Sequence, residues 1–464
     1  MIKLEKILKS DFYPLILSLV AAVAWMFNGN LAGINKTFIV IYLLLAAFIL
    51  VTFKDTSYTI PIFLSLLFMV NTKNLGLRDI RQLSFMYVIF GLVVIGLAVH
   101  ILRFRHKFKV GFLSLGFLLI AISYFLPLLY IPFSRTLFAI SLIGFIYLAI
   151  YLFVMNTSYN KTETILKYFF YASFIILIQL YSGYLKGLLS MDFSRGLGAV
   201  ATKGLQTAWG NGDLGYGNIN DVIIFLTLLS AGQVYMLFKY PKKYYLWIFP
   251  SLSVIAVLLS GSRGGWVSWA AMLVLFYVLV IAKGTKEQFF VATSLLVLAL
   301  IPMIIDKRIP LLLYRVFRQG GIKDLDTFTS FRMTLYRNAF KIFKKYPYFG
   351  AGWTYALDMG NSNRIQVYHS TIFHTIAVTG IFGVGAVAVL VISQLVVLVK
   401  RLNIYVAIAA IAWLTTFFHG LMDNTIHMLI YTILTIFLFT AIERDDSIIE
   451  QECRVEPFPF IVEN

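Results

Sequence analysis

The chain has 464 residues, of which 60% are hydrophobic and 13% charged, and it carries a formal net charge of +18. A mean hydropathy of +0.85 excludes a water-soluble fold of this length and points to an integral membrane protein. The basic excess is distributed among loops instead of one soluble module, which argues against nucleic-acid binding and for contact with anionic membrane lipids.

Apolar runs long enough to cross about 30 Å of hydrocarbon as helices recur from end to end. About fourteen are expected, over roughly 12–28, 37–53, 58–71, 84–102, 111–132, 136–156, 166–184, 218–238, 244–261, 264–282, 288–305, 371–399, 402–418 and 425–442. The fold expected is an all-α polytopic membrane protein, a single integral membrane domain over 1–464. The first run lacks a small-residue cleavage site and reads as a retained helix. Lys3, Lys6 and Lys9 precede the first span, and Arg103, Arg105, Lys107 and Lys109 follow the fourth. The positive-inside rule puts both groups in the cytoplasm, and the alternation then brings Lys239, Lys242, Lys243, Lys400 and Arg401 to the same side with both termini. Lys73, Arg78 and Arg81 fall on the outer side in this scheme.

Two outer loops are expected to be long, 185–217 and 306–370. The first is rich in Gly and contains Trp209 and Tyr216. These rings offer flat faces for stacking sugars, and each alone also fits an interfacial anchor. Further on, Ser260-Gly261-Ser262-Arg263-Gly264-Gly265-Trp266 interrupts two apolar runs with no room for a loop. Arg263 then lies at the outer membrane boundary, where an ionisable group calls for a partner, water or a function. The small residues around it expose backbone N–H groups to an anionic oxygen.

The 306–370 segment carries Lys307, Arg308, Arg315, Arg318, Lys323, Arg332, Arg337, Lys341, Lys344, Lys345 and Arg364 against Asp306, Asp324, Asp326 and Asp358. Such a basic excess on the far side runs against the loop-charge rule, and an anionic ligand outside the cytoplasm explains it most simply. A surface helix from Phe331 to about Tyr346 is expected, capped by Ser330 and stopped by Pro347. Arg337, Lys341, Lys344 and Lys345 share its polar face, whereas Arg332 aligns with Tyr336, Ala339 and Phe343 on an apolar stripe and therefore needs an anion or a carbonyl. Snorkelling to lipid headgroups is the bland alternative for these bases. The Pro347–Trp353 stretch is turn-rich, letting backbone approach a ligand or bend back to the membrane. His369 then stands at the outer mouth of a long apolar span, where it could serve as a base or simply as an interfacial or capping residue. His419, Asp423 and His427, at i, i+4 and i+8, could be weighed as a metal set, but that spacing covers about 12 Å of helix rise and cannot close on one ion. The acidic segment 443–464 reads as a cytoplasmic tail with the only cysteine, Cys453, which excludes an intramolecular disulfide and a cysteine-based metal cluster.

In order, SGSRGGW at 260–266, the Arg332 helix leading to YPYFGAGW at 346–353, and YHSTIFHTIAVTGIFG at 368–383 resemble the O-antigen ligase and O-antigen polymerase superfamily. That family's pattern pairs an SxSR element with an R…W…PxxGxG segment and an HN…ExGxxG segment. The recognisable motifs cover about 215–440. Ser370 stands where Asn usually follows the His, Thr379 where an acidic residue is common, and Tyr336 where Trp is frequent. Asn218-Ile219-Asn220 replaces a frequent NPN.

The resemblance implies metal-independent glycosyl transfer, without a cofactor, from an undecaprenyl-diphosphate-linked oligosaccharide on the extracytoplasmic face of the bacterial inner membrane. It assigns Arg263 and Arg332 to the donor diphosphate and His369 to the acceptor, with inversion if a single displacement operates. Trp209, Tyr216 and Trp353 are candidates for glycan contact. A polymerase of capsular, exopolysaccharide or O-antigen repeat units leads; it would work beside a flippase and a chain-length regulator. Transfer of a finished glycan to a lipid or protein acceptor is the runner-up. A lipid-linked-saccharide flippase, which should place paired polar residues near mid-membrane in related halves, is the alternative from another class.

Overall fold

The computed structural model describes residues 2–26, 32–69, 84–189, 218–260, 262–305, 332–356, 360–361 and 366–445. In chain order its helices are α1 (Ile2–Leu8), α2 (Phe12–Met26), α3 (Ala32–Thr52), α4 (Ile60–Met69), α5 (Ser84–Phe104), α6 (Ser114–Phe125), α7 (Arg135–Thr157) and α8 (Thr162–Leu189). There follow α9 (Ile219–Lys239), α10 (Ile248–Leu259), α11 (Arg263–Lys283), α12 (Lys286–Ile305), α13 (Arg332–Lys345), α14 (Thr371–Lys400), α15 (Ile404–His419) and α16 (Leu429–Arg444). Among the described residues, six helices are long and apolar enough to cross a membrane, and six more apolar stretches are shorter. The chain is a helical multi-pass membrane protein, and these elements do not confirm the expectation of about fourteen spans. Strand occurs only as a two-residue antiparallel pair among the described residues, β1 (Tyr355–Ala356) with β2 (Gly360–Asn361).

At the centre is α9, buried without a break from Val222 to Leu237. It packs against α8 and α15, which accounts for an apolar character on every side. Its few polar groups are bonded across helices: Gln233 donates to Ser173 at 3.0 Å and accepts from Ser253 at 3.0 Å. Hydrogen bonds of this kind tie helices together where water is absent.

At the end of α16 the structure corrects one expectation. Glu443 and Asp445 are buried, not part of a solvated tail. The Glu443 carboxylate accepts from the Phe112 N–H at 2.7 Å and from the Tyr151 hydroxyl at 2.8 Å. Asp445 accepts from the Thr162 N–H at 2.8 Å. Residues 446–464, with Cys453, lie outside the described residues.

The 30-residue α14 is broken at Gly380, whose φ of 63° leaves the helical region. A break in a membrane helix frees backbone groups that must find other partners. Here they find the Pro347–Gly352 stretch. Ala351 N–H donates to the Ala377 carbonyl at 2.9 Å and Gly352 N–H to Val378 at 3.0 Å, while Ile381 N–H donates to Pro347 at 2.8 Å and Phe382 N–H to Tyr348 at 3.0 Å. A Cβ on Gly380 would lie 2.6 Å from the Gly350 nitrogen, and one on Gly350 would lie 2.2 Å from the Val378 carbonyl carbon. Of the two readings open for this segment, the glycines serve the bend back onto the helix.

Candidate functional site

Three helices begin at one place. Asn218 caps α9, accepting from the Asn220 N–H at 3.1 Å. Ser262 caps α11, accepting from the Gly265 N–H at 3.0 Å. Ser370 precedes α14, and the Thr371 N–H donates to the Gly420 carbonyl at 2.8 Å. Side chains cross-link these starts: the Ser262 hydroxyl donates to Asn220 Oδ1 at 2.6 Å, and Asn220 Nδ2 donates to Asp423 Oδ2 at 2.9 Å. Helix N-termini carry partial positive charge and unpaired N–H groups, so their convergence favours an anion.

Asp423, in the turn between α15 and α16, is the hub. Its side chain is 3% exposed and lies 3.1 Å from His369 Nδ1 and 3.3 Å from Arg332 NH2. Burial alone would push this carboxyl up, but the His369 hydrogen bond, the Arg332 charge and the Asn220 amide together hold it below its ordinary value. An ionised carboxylate only accepts, so the Nδ1 facing it carries a proton, and in the neutral form of the ring Nε2 is the nitrogen with a free lone pair. His369 is also one of two non-glycine residues with positive φ among the described residues, at 45°. Its carbonyl accepts from the Tyr336 hydroxyl at 3.0 Å, and the Tyr336 ring stacks on Phe373 with centroids 4.2 Å apart. Left-handed backbone is unfavourable for an L residue and persists only when the surroundings impose it.

Arg332 also donates to the Met422 carbonyl, so two of its N–H groups are committed to the Asp423 turn. Its alignment with Tyr336 and the buried Ala339 on one stripe of α13 holds, and the anion or carbonyl that this position demanded turns out to be both. Arg263 opens α11 near enough to Arg332 for the two like charges to interact. Two guanidiniums brought together at three helix starts form a site suited to an oxyanion. His419 sits beside it, 1% exposed and 3.1 Å from where a Cβ on Gly264 would stand.

Of the sequence candidates, Arg263, Arg332 and His369 come together. Trp353 does not join them. Its ring is buried, 4.5 Å from His374, 5.3 Å from Tyr124 and 5.7 Å from His427 between centroids, with no face open to a sugar. Trp209 and Tyr216 lie outside the described residues, as do Lys307 to Lys323, Asp358 and Arg364. His419, Asp423 and His427 do not share a helix, because α15 ends at His419, and they disperse: His427 is bonded to Tyr124 at 2.7 Å and to Thr375 at 2.7 Å.

Asp423 entered the sequence reading through that metal set and as a base to fall back on should His369 fail, and Asn220 as part of a degenerate NPN. The one available signal was a carboxylate near the end of an apolar run, a placement that demands a cation or donor nearby. Residues 248–388 match the O-antigen ligase family model. The match contains Arg263, Arg332 and His369 and excludes Asn220 and Asp423. No curated protein matches the chain.

Proposed function

We propose, from the premise that this chain belongs to the O-antigen ligase and polymerase superfamily through residues 248–388, that it transfers a glycan from a polyprenyl-diphosphate-linked oligosaccharide to a sugar hydroxyl. The observation that carries this reading is the His369–Asp423 pair beside two arginines at the junction of three helix N-termini. His369 Nε2 takes the proton of the acceptor hydroxyl as its oxygen attacks the donor's anomeric carbon. The bond from that carbon to the diphosphate oxygen breaks, and the leaving diphosphate keeps the electron pair. Arg263, the remaining N–H groups of Arg332 and the α11 N-terminus neutralise the charge that grows on it. Asp423 holds the imidazole in the tautomer that accepts at Nε2 and stabilises the imidazolium once formed. One displacement of this kind inverts the anomeric centre.

The reaction favoured is polymerisation of lipid-linked repeat units of a capsular, exopolysaccharide or O-antigen chain on the extracytoplasmic face, with undecaprenyl diphosphate as carrier and both termini cytoplasmic. A flippase that delivers repeat units and a chain-length regulator are the partners this reading calls for. The test is purified protein incubated with polyprenyl-diphosphate-linked repeat units. A ladder of multiples that disappears in His369→Ala supports polymerisation. Transfer of preformed chains to a separate acceptor, with no ladder, supports a ligase. Movement of labelled lipid-saccharide across a vesicle membrane without any new glycosidic bond overturns both.

A further inference from the structure

The far end of α14 carries a second charged feature, as distant from His369 as the helix is long. A cavity of about 280 Å³ is lined by Phe112, Val397, Lys400, Arg401 and Glu443, roughly the share of nine waters in the liquid at about 30 Å³ each. The cavity is too small for a lipid-linked oligosaccharide and large enough for a headgroup phosphate.

Its lining is built, not incidental. The two oxygens of Glu443 are engaged by the Phe112 N–H and the Tyr151 hydroxyl, which fixes the start of α6 against α16. Arg401 donates to the Glu443 carbonyl at 3.1 Å, which brings the guanidinium to the cavity wall. The Lys400 ammonium lies 4.5 Å from the centroid of the Phe112 ring. Two cations therefore share this lining with one carboxylate, which leaves it a net positive charge. Phe112 of the lining is 51% exposed, and the residues flanking the lining are apolar and exposed as well: Val110 is 71% exposed, Val399 75% and Leu402 57%. A soluble anion has no use for such a surround, whereas an amphiphile with one phosphate and acyl chains matches both parts.

We propose that this cavity is a binding site for an anionic phospholipid, with its phosphate between Lys400 and Arg401 and its chains on the flanking apolar residues, in the leaflet opposite the His369 site. Binding there joins the ends of α14 and α16 to the segment before α6. His369 stands just before the start of α14 and Asp423 in the turn before α16, so an occupied site stiffens the frame of the proposed catalytic pair.

The protein would be reconstituted in nanodiscs of phosphatidylcholine alone or with phosphatidylglycerol, and retained phosphatidylglycerol counted by native mass spectrometry beside the thermal unfolding midpoint. Wild type retains the anionic lipid and unfolds at a higher temperature with it. Lys400→Gln and Arg401→Gln each weaken retention about fivefold, corresponding to about 1 kcal/mol for each cation, and lose the thermal shift. Lys400→Gln unfolds like wild type in phosphatidylcholine alone, which separates lost binding from lost folding. Lys341→Gln, on the opposite side of the bundle, retains the lipid. Wild-type retention by Lys400→Gln, or an equal loss in Lys341→Gln, overturns the site. Equal protection by inorganic phosphate in phosphatidylcholine nanodiscs overturns the lipid as occupant.

Discussion

His369 Nδ1 and Asp423 Oδ1 stand 3.1 Å apart although 54 residues separate them in the chain. The carboxylate is buried, and the His369 backbone carbonyl is held by the Tyr336 hydroxyl. Replacing Asp423 with Asn keeps the shape but supplies an amide that can donate to Nδ1 and so favour the wrong tautomer. Turnover of Asp423→Asn is expected to fall by about two to four orders of magnitude. His369→Ala should fall as far, and the double variant little further, because the pair acts as a unit. Single-turnover rates with bound donor check this, and independent, multiplying losses would exclude the pairing.

The charge of Asp423 has its own pH signature. Its carboxyl is held below its ordinary value in the folded protein. Its contribution to stability is therefore complete above the ordinary carboxylate value of about 3.9 and lost only as pH falls through the lower folded value. Unfolding midpoints measured in detergent should thus show no Asp423-dependent change from neutrality down to about pH 4. Below that the difference between wild type and Asp423→Asn should shrink. A difference that already narrows near pH 6 would mean the carboxyl is not held by its partners.

The two arginines should fail differently. Arg263→Ala is expected to weaken donor binding while leaving the His369–Asp423 geometry in place. Arg332→Ala removes both a diphosphate contact and the anchor of Asp423, so it lowers binding and turnover together. Lysine rescues neither well, since it retains charge without the planar fork that reaches two acceptors. Equilibrium donor binding measured beside single-turnover rates separates the cases, and unimpaired binding by Arg263→Ala would remove it from the donor site.

His374 is 0% exposed and packs against Trp353, Tyr368 and His427. His374→Ala should destabilise the protein by roughly 2–5 kcal/mol through the cavity it leaves, while His374→Phe restores most of the midpoint. If His374→Ala unfolds like wild type, this aromatic cluster does not support the part of α14 before Gly380.

Arg337, Lys341 and Lys344 are exposed on α13. Each alanine variant should change activity by no more than about fivefold, the effect of about 0.2–1 kcal/mol for an exposed ionic contact, with the difference vanishing in high salt. A loss that matches Arg332→Ala and persists in salt would place a specific ligand on this face.

The helical, apolar character of the chain was legible from its composition, and the positions of Arg263, Arg332 and His369 stood out because each is a local anomaly: a charge or a polar break where apolar residues are expected. Asp423 was not, because its meaning lies in contacts 54, 91 and 203 residues away with His369, Arg332 and Asn220. Trp353 misled for the opposite reason. An aromatic after glycines in a loop looks exposed, and only the packing of Tyr124 and His427 around it shows a core residue. The break at Gly380 was present only as one glycine in an apolar run, since glycine alone does not say which neighbouring backbone needs the space.

The exchange of hydrogen bonds across that break sets an order of assembly during synthesis. Pro347–Gly352 leaves the ribosome before α14, so the amides and carbonyls released at Gly380 find their partners as soon as the helix enters the membrane. The start of α14 must wait, because the Thr371 N–H bonds to Gly420 and Asp423, which emerge only after α14 and α15. The proposed catalytic pair is therefore among the last parts of the bundle to close, and chains halted before Asp423 can insert most of their helices without the His369–Asp423 contact.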